Sequence, residues 1–534
     1  MSLTEKFSLT QYPYPSQRQI VLGNQRAVAT SQPLATLAGM EMFWAGGNAV
    51  DAALAMAIAL TIVEPTSNGI GGDAFALVWD GKLHGLNASG CSPQNLTLAT
   101  LAGRNRLPKW GWLPVTVPGA VSAWRTLWSR WGKLPFEQLF APAIRYAESG
   151  FPVSPVTAAA WQRMEKIYLP LQGREFQAFQ EVFFPGNRSP KVGEIWRSQA
   201  HAETLKAIAS TGGESFYQGK LAAQIAQFAA DTGGLLTTAD LAQHQPIWVE
   251  PIATNYRGLT VWELPPNTQG IATLMALNIL ENYDLSQYPR DSAESYHLQI
   301  EAMKLAFADV HRYVADARFM DRSTVELLDR NYGRSRQQLI GDTAIPLAQP
   351  GLPQGGTVYL TAADSDLMVS FIQSNYMGFG SGILVPGTGI ALQNRAVGFS
   401  LESGHPNQLA PGKRPFHTII PGFLTEGDRP LGAFGVMGGA MQPQGHLQVI
   451  VNLADYHLNP QAALDAPRWQ FIADNQIWLE PTVAPGIIQG LANRGHQIQI
   501  SSPTEFGKGQ IILRHQGALI AASEPRADGL ALAQ

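Results

Sequence analysis

Gly355-Gly356-Thr357-Val358-Tyr359-Leu360-Thr361 is the stretch on which the reading of this chain turns. Before it lies a loop rich in Pro, Gly and Gln, from Ala344-Ile345-Pro346 to Gln354-Gly355-Gly356. After it the residues alternate as a β-strand does, up to a turn at Asp364-Ser365-Asp366. By itself Thr357 reads as the first residue of an ordinary strand. If the Gly356–Thr357 bond is cut, its α-amine is freed beside its own hydroxyl, which makes a nucleophile with a base attached.

Working outward, the C-terminal third is rich in strands. Thr357 to Ala363 pairs with Leu367 to Ser374, and Pro430 to Val436, Gly509 to Arg514 and Ala518 to Ala522 read as further strands. At the front, Thr30-Ser31-Gln32-Pro33 opens a helix. Asn48 caps a second, nearly all-apolar helix from Ala49 to Val63, a pattern that demands burial on most sides. Ala74 to Trp79 reads as a strand, turning at Asp80-Gly81. Residues 120–340 read as mainly helical. The layout is of sheets covered by helices, with the glycine linker before Thr357 as the one clear discontinuity.

The chain has 534 residues, 45% of them hydrophobic, enough for a large core. Only 15% are charged, against roughly 25% in ordinary soluble domains, and 52 Gly and 36 Pro favour a turn-rich enzyme over a helical scaffold. The net charge of −4 has no basic stripe, so nucleic acid and anionic membranes are not expected partners. The single cysteine, Cys91, excludes an intramolecular disulfide and a cysteine-based zinc cage, and reads as a small packed side chain. The N-terminus lacks a basic start followed by an apolar core, and the most apolar stretch is too short to span a bilayer. A cytoplasmic protein is the expectation.

Three glycine-rich features stand near candidate chemistry. Gly438-Gly439 follows an apolar strand, where backbone N–H groups can face an oxyanion. Phe379 to Ile390 is a shaped loop. Glu64 to Asp73, with Gly69, Gly71 and Gly72, lies between a helix and a strand, the reverse of a dinucleotide fingerprint, and reads as a close pass of one backbone over another. His297, Glu301 and Lys304 share a face of a helix; a metal site is conceivable there, and a solvated surface is the preferred reading.

Taken in order, these motifs resemble the γ-glutamyltransferase (glutathione hydrolase) family of N-terminal nucleophile hydrolases. The resemblance rests on Ala45 to Ala53, Gly69 to Asp73, Val117-Pro118-Gly119, Thr237 to Leu241, Gly356-Thr357, Phe379 to Ile390, Lys413-Arg414-Pro415 and Gly438-Gly439. It implies an α+β fold, a four-layer αββα sandwich. It implies self-cleavage at Gly356–Thr357 into a large chain, 1–356, and a small chain, 357–534, that stay together as one intertwined domain. A dimer of such heterodimers is left open. Thr357 would attack a small-molecule γ-glutamyl or related acyl amide, the Gly438 and Gly439 N–H groups would hold the oxyanion, and no cofactor or metal is called for.

The side chains expected to grip a γ-glutamyl group have changed. By the same resemblance, the family's carboxylate-binding Arg falls at Ser89 and its Ser-Ser pair at His417-Thr418. The Thr and Asn after the nucleophile fall at Ser374 and at Tyr376 or Asn375. The family's acid falls near Gly398, three residues after Arg395. A zwitterionic substrate end needs both a cation and an anion nearby, and Ser89 and Gly398 supply neither. Either Arg395 takes the carboxylate from a new direction, or it is a surface ion pair. Three functions remain in play: a γ-glutamyl amidase or acyltransferase, an acylase for a glutaryl or other non-glutamyl group, and an uncleaved homologue acting as a binding protein.

Overall fold

The computed structural model describes residues 2–8, 10–15, 18–346 and 356–534. Most of the linker before Gly356 therefore lies outside the described residues.

Two seven-stranded sheets are built from β1 (Val21–Gly23), β2 (Ala27–Thr30), β3 (Asp73–Trp79), β4 (Leu83–Asn87), β5 (Ile247–Val249), β6 (Ile252–Tyr256), β7 (Leu259–Glu263), β8 (Gly356–Ala363), β9 (Met368–Tyr376), β10 (Gly422–Glu426), β11 (Arg429–Met437), β12 (Lys508–His515), β13 (Ala518–Ser523) and β14 (Leu530–Ala533). One sheet runs β1-β13-β12-β11-β10-β7-β6, the other β14-β2-β8-β9-β3-β4-β5. Each sheet takes strands from both sides of residue 356, so the two halves of the chain are interleaved.

Three apolar layers separate the elements. Helices α1 (Pro33–Trp44) and α2 (Ala49–Val63) cover the outer face of the β8 sheet, through Val358, Leu360 and Phe371. Helices α3 (Ile271–Leu280), α4 (Ala293–Tyr313) and α5 (Met441–Ala454) cover the outer face of the other, through Phe434, Val436 and Ile511. Phe75, Tyr359, Ile372, Phe423 and Ile512 fill the space between the sheets. This is the αββα sandwich that the resemblance implied.

Helix α2 explains its own composition. All its residues are buried, and each fully buried Leu or Ile side chain contributes about 1.5–3 kcal/mol. Asn48 accepts from Val50 N and Asp51 N, and Asp51 returns to Asn48 N at 3.0 Å, a reciprocal cap that starts the helix. Residues 120–340 are not all helical, however: β5, β6 and β7 lie within them.

The β8–β9 pairing carries one irregularity. Gly356 pairs with Tyr376, but Val358 pairs with Gln373, so Ser374 and Asn375 oppose Thr357 alone. This bulge gathers side chains beside the Gly356–Thr357 bond. On its other edge β9 sets Ser374 directly against Asp73 of β3. Gly71 and Gly72 permit the approach: a Cβ at Gly71 would lie 2.4 Å from Ala391 O, and one at Gly72 2.6 Å from Ser374 O. The close pass expected of this loop is present.

Candidate active site

Thr357 is buried at the start of β8. Its Oγ1 donates to Ser374 Oγ at 3.2 Å, and Ser374 Oγ donates to the Gly356 carbonyl oxygen at 2.6 Å. Ser374 also accepts from Tyr376 N at 2.8 Å. One hydroxyl thus links the candidate nucleophile to the carbonyl of the bond it would cut.

Arg395 reaches the same hydroxyl from the far side, through Nη2 at 3.4 Å. Its Nη1 donates to Thr418 Oγ1 at 2.9 Å, and its guanidinium lies 4.1 Å from the centre of the Tyr376 ring. It is fully buried, so the surface ion pair considered above is corrected. No ion pair to Arg395 occurs among the described residues, and Nε has no hydrogen-bond partner. Burial lowers its pKa to about 10, against the opposing effects of Tyr376 and Asp73, so it stays a cation at neutral pH. Tyr376 holds its ring there from a left-handed backbone, φ 79°, a conformation that costs a non-glycine residue about 1–3 kcal/mol.

Behind this group lies a buried acid. Asp73 Oδ1 accepts from Gly90 N and Gly119 N, each at 3.1 Å, and Oδ2 lies 3.1 Å from His417 Nε2. Ile419 N approaches His417 Nδ1 at 3.4 Å, so Nε2 carries the ring proton and donates it to Asp73. Burial pushes the Asp73 carboxyl up to about 7, against the pull of Arg395, Gln393 and the two peptide N–H groups. Burial, then Arg395, holds His417 well below its ordinary range, and therefore neutral.

The other expected residues divide. Ser89 is buried, with its hydroxyl donating to Asn87 Oδ1 at 2.7 Å and accepting from Asn267 Nδ2 at 3.3 Å. Its hydrogen bonds do not reach Thr357 or Arg395. Asn375 turns toward Gly69 and Phe379, so it is Tyr376 that faces Arg395. Gly398 shapes the turn after Arg395 and carries no side chain. Gly438 and Gly439, between β11 and α5, take φ 139° and 61°. The Gly439 carbonyl accepts from Gln269 Nε2 at 2.9 Å. Cys91 is half-buried, and burial pushes its thiol up, away from the reactive thiolate.

Sequence reasoning missed Gln269 and assigned Asp73 no role. Gln269 stands in a loop and Asp73 at the first position of β3, directly after a glycine-rich loop, so neither carries a periodic signal. It also misread His297, Glu301 and Lys304, which are buried rather than solvated. His297 Nδ1 meets His496 Nε2 at 2.9 Å, and Nε2 donates to Gly341 O at 2.8 Å. Lys304 Nζ donates to Glu301 Oε1 at 2.9 Å, to Ile345 O at 2.6 Å and to Asn475 Oδ1 at 2.9 Å. His297, Glu301 and His496 lie close enough to hold a metal ion. The charges oppose it, because Lys304 already neutralises Glu301 and a divalent cation would add two buried, unpaired positive charges. The cluster instead ties residues 341–345 to α4 and to the loop at Asn475.

Comparison with known proteins agrees with this geometry. A gamma-glutamyltranspeptidase family model matches residues 35–534. The glutathione hydrolase-like YwrD proenzyme of Bacillus subtilis is 35% identical over 528 residues, covering 96% of this chain and 99% of the relative. The oxamate amidohydrolase proenzyme of Klebsiella pneumoniae is 34% identical over 518 residues, covering 93% and 96%. The crystal structure of a cephalosporin acylase from Bacillus halodurans superimposes with a TM-score of 0.94 at 53% identity, covering 99% of each chain. Among the described residues, no helix is long and apolar enough to cross a membrane. From the layered fold, the threonine at the head of β8 and these matches over nearly all its length, the chain belongs to the gamma-glutamyltranspeptidase family and is an amidase-type enzyme with the N-terminal nucleophile hydrolase fold.

Proposed function

We propose that this protein cleaves itself at Gly356–Thr357, and that the freed Thr357 hydrolyses amides whose acyl group ends in a carboxylate and bears no ammonium. In the first reaction Thr357 Oγ adds to the Gly356 carbonyl carbon. The negative charge developing on Gly356 O is met by the Ser374 hydroxyl already bonded to it. The Gly356–Thr357 C–N bond breaks, the nitrogen takes up the hydroxyl's proton, and water then hydrolyses the ester to leave a Gly356 carboxylate. In turnover the Thr357 amine, with a reference pKa of about 7.7–8.0, accepts the hydroxyl proton. Oγ attacks the substrate carbonyl, the Gly438 and Gly439 N–H groups hold the oxyanion, and the Thr357 ammonium passes its proton to the substrate's amide nitrogen, which leaves as the amine when the C–N bond breaks. Water releases the acid from the acyl-enzyme.

The observation that carries the acyl preference is Arg395. It is a buried cation with a free Nε donor and no contacting carboxylate, one hydroxyl away from Thr357. The Tyr376 ring offsets part of its desolvation, and a substrate carboxylate would complete it. An α-ammonium finds no comparable host, because Gly398 offers no acid and Asp73 is already engaged by two peptide N–H groups and His417. The relative named for oxamate supports the same reading, since oxamate is itself an amide with a carboxylate and no ammonium, while the relative named as glutathione hydrolase-like keeps the γ-glutamyl group as the alternative.

Incubating the purified precursor and following it on a denaturing gel tests the first claim. Two fragments, roughly two thirds and one third of the 57.8 kDa chain, are expected. A persistent single band would favour the non-enzymatic homologue. Comparing kcat/KM for glutaryl and γ-glutamyl anilides, with oxamate alongside, tests the second. A faster γ-glutamyl reaction overturns the acyl preference.

A further inference from the structure

We propose that Gln269 is a positioning residue for turnover, locking the Gly438-Gly439 pair to the Arg395 clamp while leaving self-cleavage untouched. The inference rests on the reading above that the glycine pair holds the substrate's oxyanion.

Gln269 is fully buried in the loop leading into α3. Its Nε2 donates to two carbonyls, Thr418 O at 2.6 Å and Gly439 O at 2.9 Å. Because both partners only accept, the amide orientation is fixed by chemistry: only the nitrogen can stand between them. The two carbonyls belong to the two halves of the site. Thr418 is the residue whose hydroxyl takes Arg395 Nη1 at 2.9 Å. Gly439 is the second residue of the glycine pair; its carbonyl lies in the Gly439–Ala440 peptide, so holding it anchors the C-terminal end of the turn whose two preceding peptides carry the Gly438 and Gly439 N–H groups.

The backbone reinforces the bridge. Gln269 N donates to His417 O at 3.0 Å, and His417 N donates to Asn267 O at 2.8 Å. This loop of residues 267–269 thus runs alongside residues 417–418, with Thr268 bridged to His417. The Gln269 side chain is the one element of this lacing that continues across to Gly439. A substrate bound at Arg395 and attacked beside Gly438-Gly439 therefore has both ends referenced to a single amide group.

Self-cleavage uses a different donor. The scissile carbonyl, Gly356 O, is bonded to Ser374 Oγ at 2.6 Å; Ser374 stands on β9 and is linked to Gln269 only indirectly, through Thr418 and the long 3.4 Å approach of Arg395 Nη2. The two acyl-transfer steps of one nucleophile would thus draw on separate oxyanion partners, and Gln269 serves the second.

The test uses Gln269→Met, which keeps length and volume but removes both donors, with Gln269→Glu as the same shape carrying charge. Self-cleavage is followed on gels, turnover on whichever anilide the parent hydrolyses, and melting temperature on the cleaved enzyme. The expected result is self-cleavage within about threefold of the parent and a kcat lowered about 10²–10³-fold, as for loss of oxyanion support, with a raised KM from the loosened clamp. Cleavage and turnover falling by the same factor, with a lower melting temperature, would make Gln269 merely structural and overturn the proposal. So would kcat and KM within threefold of the parent. If neither variant cleaves itself nor turns over, Gln269 belongs to folding and the proposal fails. The parent's own anilide preference tests the acyl reading separately, so the two can fail independently.

Discussion

Replacing Arg395 with Met should damage catalysis and leave the fold intact or firmer. The expectation has two parts of opposite sign. In the free protein Arg395 is a buried cation held by one hydrogen bond of 2.9 Å to Thr418, a weaker one of 3.4 Å to Ser374, and the Tyr376 ring. No carboxylate repays its desolvation by contact. Replacing buried charges with apolar residues of similar volume is commonly neutral or stabilising by about 1–4 kcal/mol. Methionine is long and flexible enough to lie on the Tyr376 ring, so the melting temperature should hold or rise. In the complex the balance reverses. A carboxylate facing Nε and an adjacent nitrogen would make two charge-assisted bonds, and losing a buried partner of this kind costs about 2–5 kcal/mol. At about 1.4 kcal/mol per factor of ten, kcat/KM for a glutaryl anilide should fall about 30- to 4,000-fold. The control is a butyryl anilide, whose acyl group lacks the carboxylate and whose rate should not fall. Equal losses on both anilides would show that Arg395 organises Ser374 and Thr357 rather than binding an anion. A melting temperature lowered by several degrees would show that the cation is structural. Either result refutes the reasoning.

Thr357→Ala should remain a single uncleaved chain without amidase activity, whereas Thr357→Ser, which keeps hydroxyl and amine, should still give two fragments on a gel. Asp73 sets a pH dependence. Because burial raises its folded pKa to about 7, its contribution to stability is complete below the unfolded value near 3.8 and is lost as pH rises through about 7. Asp73→Asn, which can still accept from Gly90 N and Gly119 N, should therefore lose less stability than the parent between pH 4 and 8 in denaturant titrations; identical slopes would contradict this. Glu301→Gln should destabilise by about 3–5 kcal/mol by stranding Lys304, and the double variant Glu301→Gln with Lys304→Met should recover much of the loss. A double variant no more stable than the single one would show that the ion pair itself, not the stranded charge, matters.

What could be read without coordinates follows from what carries a local signature. The β8–β9 hairpin was legible because alternating residues and the turn at Asp364-Ser365-Asp366 are local facts, and α2 because an all-apolar run can only be buried. The strands β2 and β14 are four residues each, too short for period to speak. By contrast β7 alternates cleanly in burial, and was lost inside a region read as helical. The pocket was harder. The spacing between Thr357 and the residues after it gave either Asn375 or Tyr376, and the reason is physical. The bulge opposite Thr357 inserts a residue into β9, so counting along the chain cannot say which side chain faces the site. Arg395 was named but not placed, because an arginine at the head of a single 3₁₀ turn has no periodicity by which burial could be inferred. His297, Glu301 and Lys304 failed for the opposite reason. Their helical spacing was read correctly, but polar residue types suggested water where a buried ion pair and a histidine pair satisfy one another.

The separation of Arg395 from Asp73 is the feature that makes an open site of two buried charges. The two feel one another, each shifting the other toward its charged form, yet they form no ion pair. Asp73 is held back by Gly90, Gly119 and His417, and Arg395 is held forward by Thr418, Ser374 and the strained Tyr376. Had the two closed on each other, the guanidinium would be neutralised, and a substrate carboxylate would have to break a buried salt bridge to bind. Holding them apart costs folding energy, in the backbone strain of Tyr376 and in an incompletely paired cation. On the proposed reading, that cost is recovered when a substrate carboxylate reaches Arg395. On this account a contact pair formed at the site, for instance by a longer acid in Asp73→Glu that reaches Arg395, should raise stability and KM together. A variant in which stability rises while KM stays unchanged would show that the gap between the charges has no part in binding.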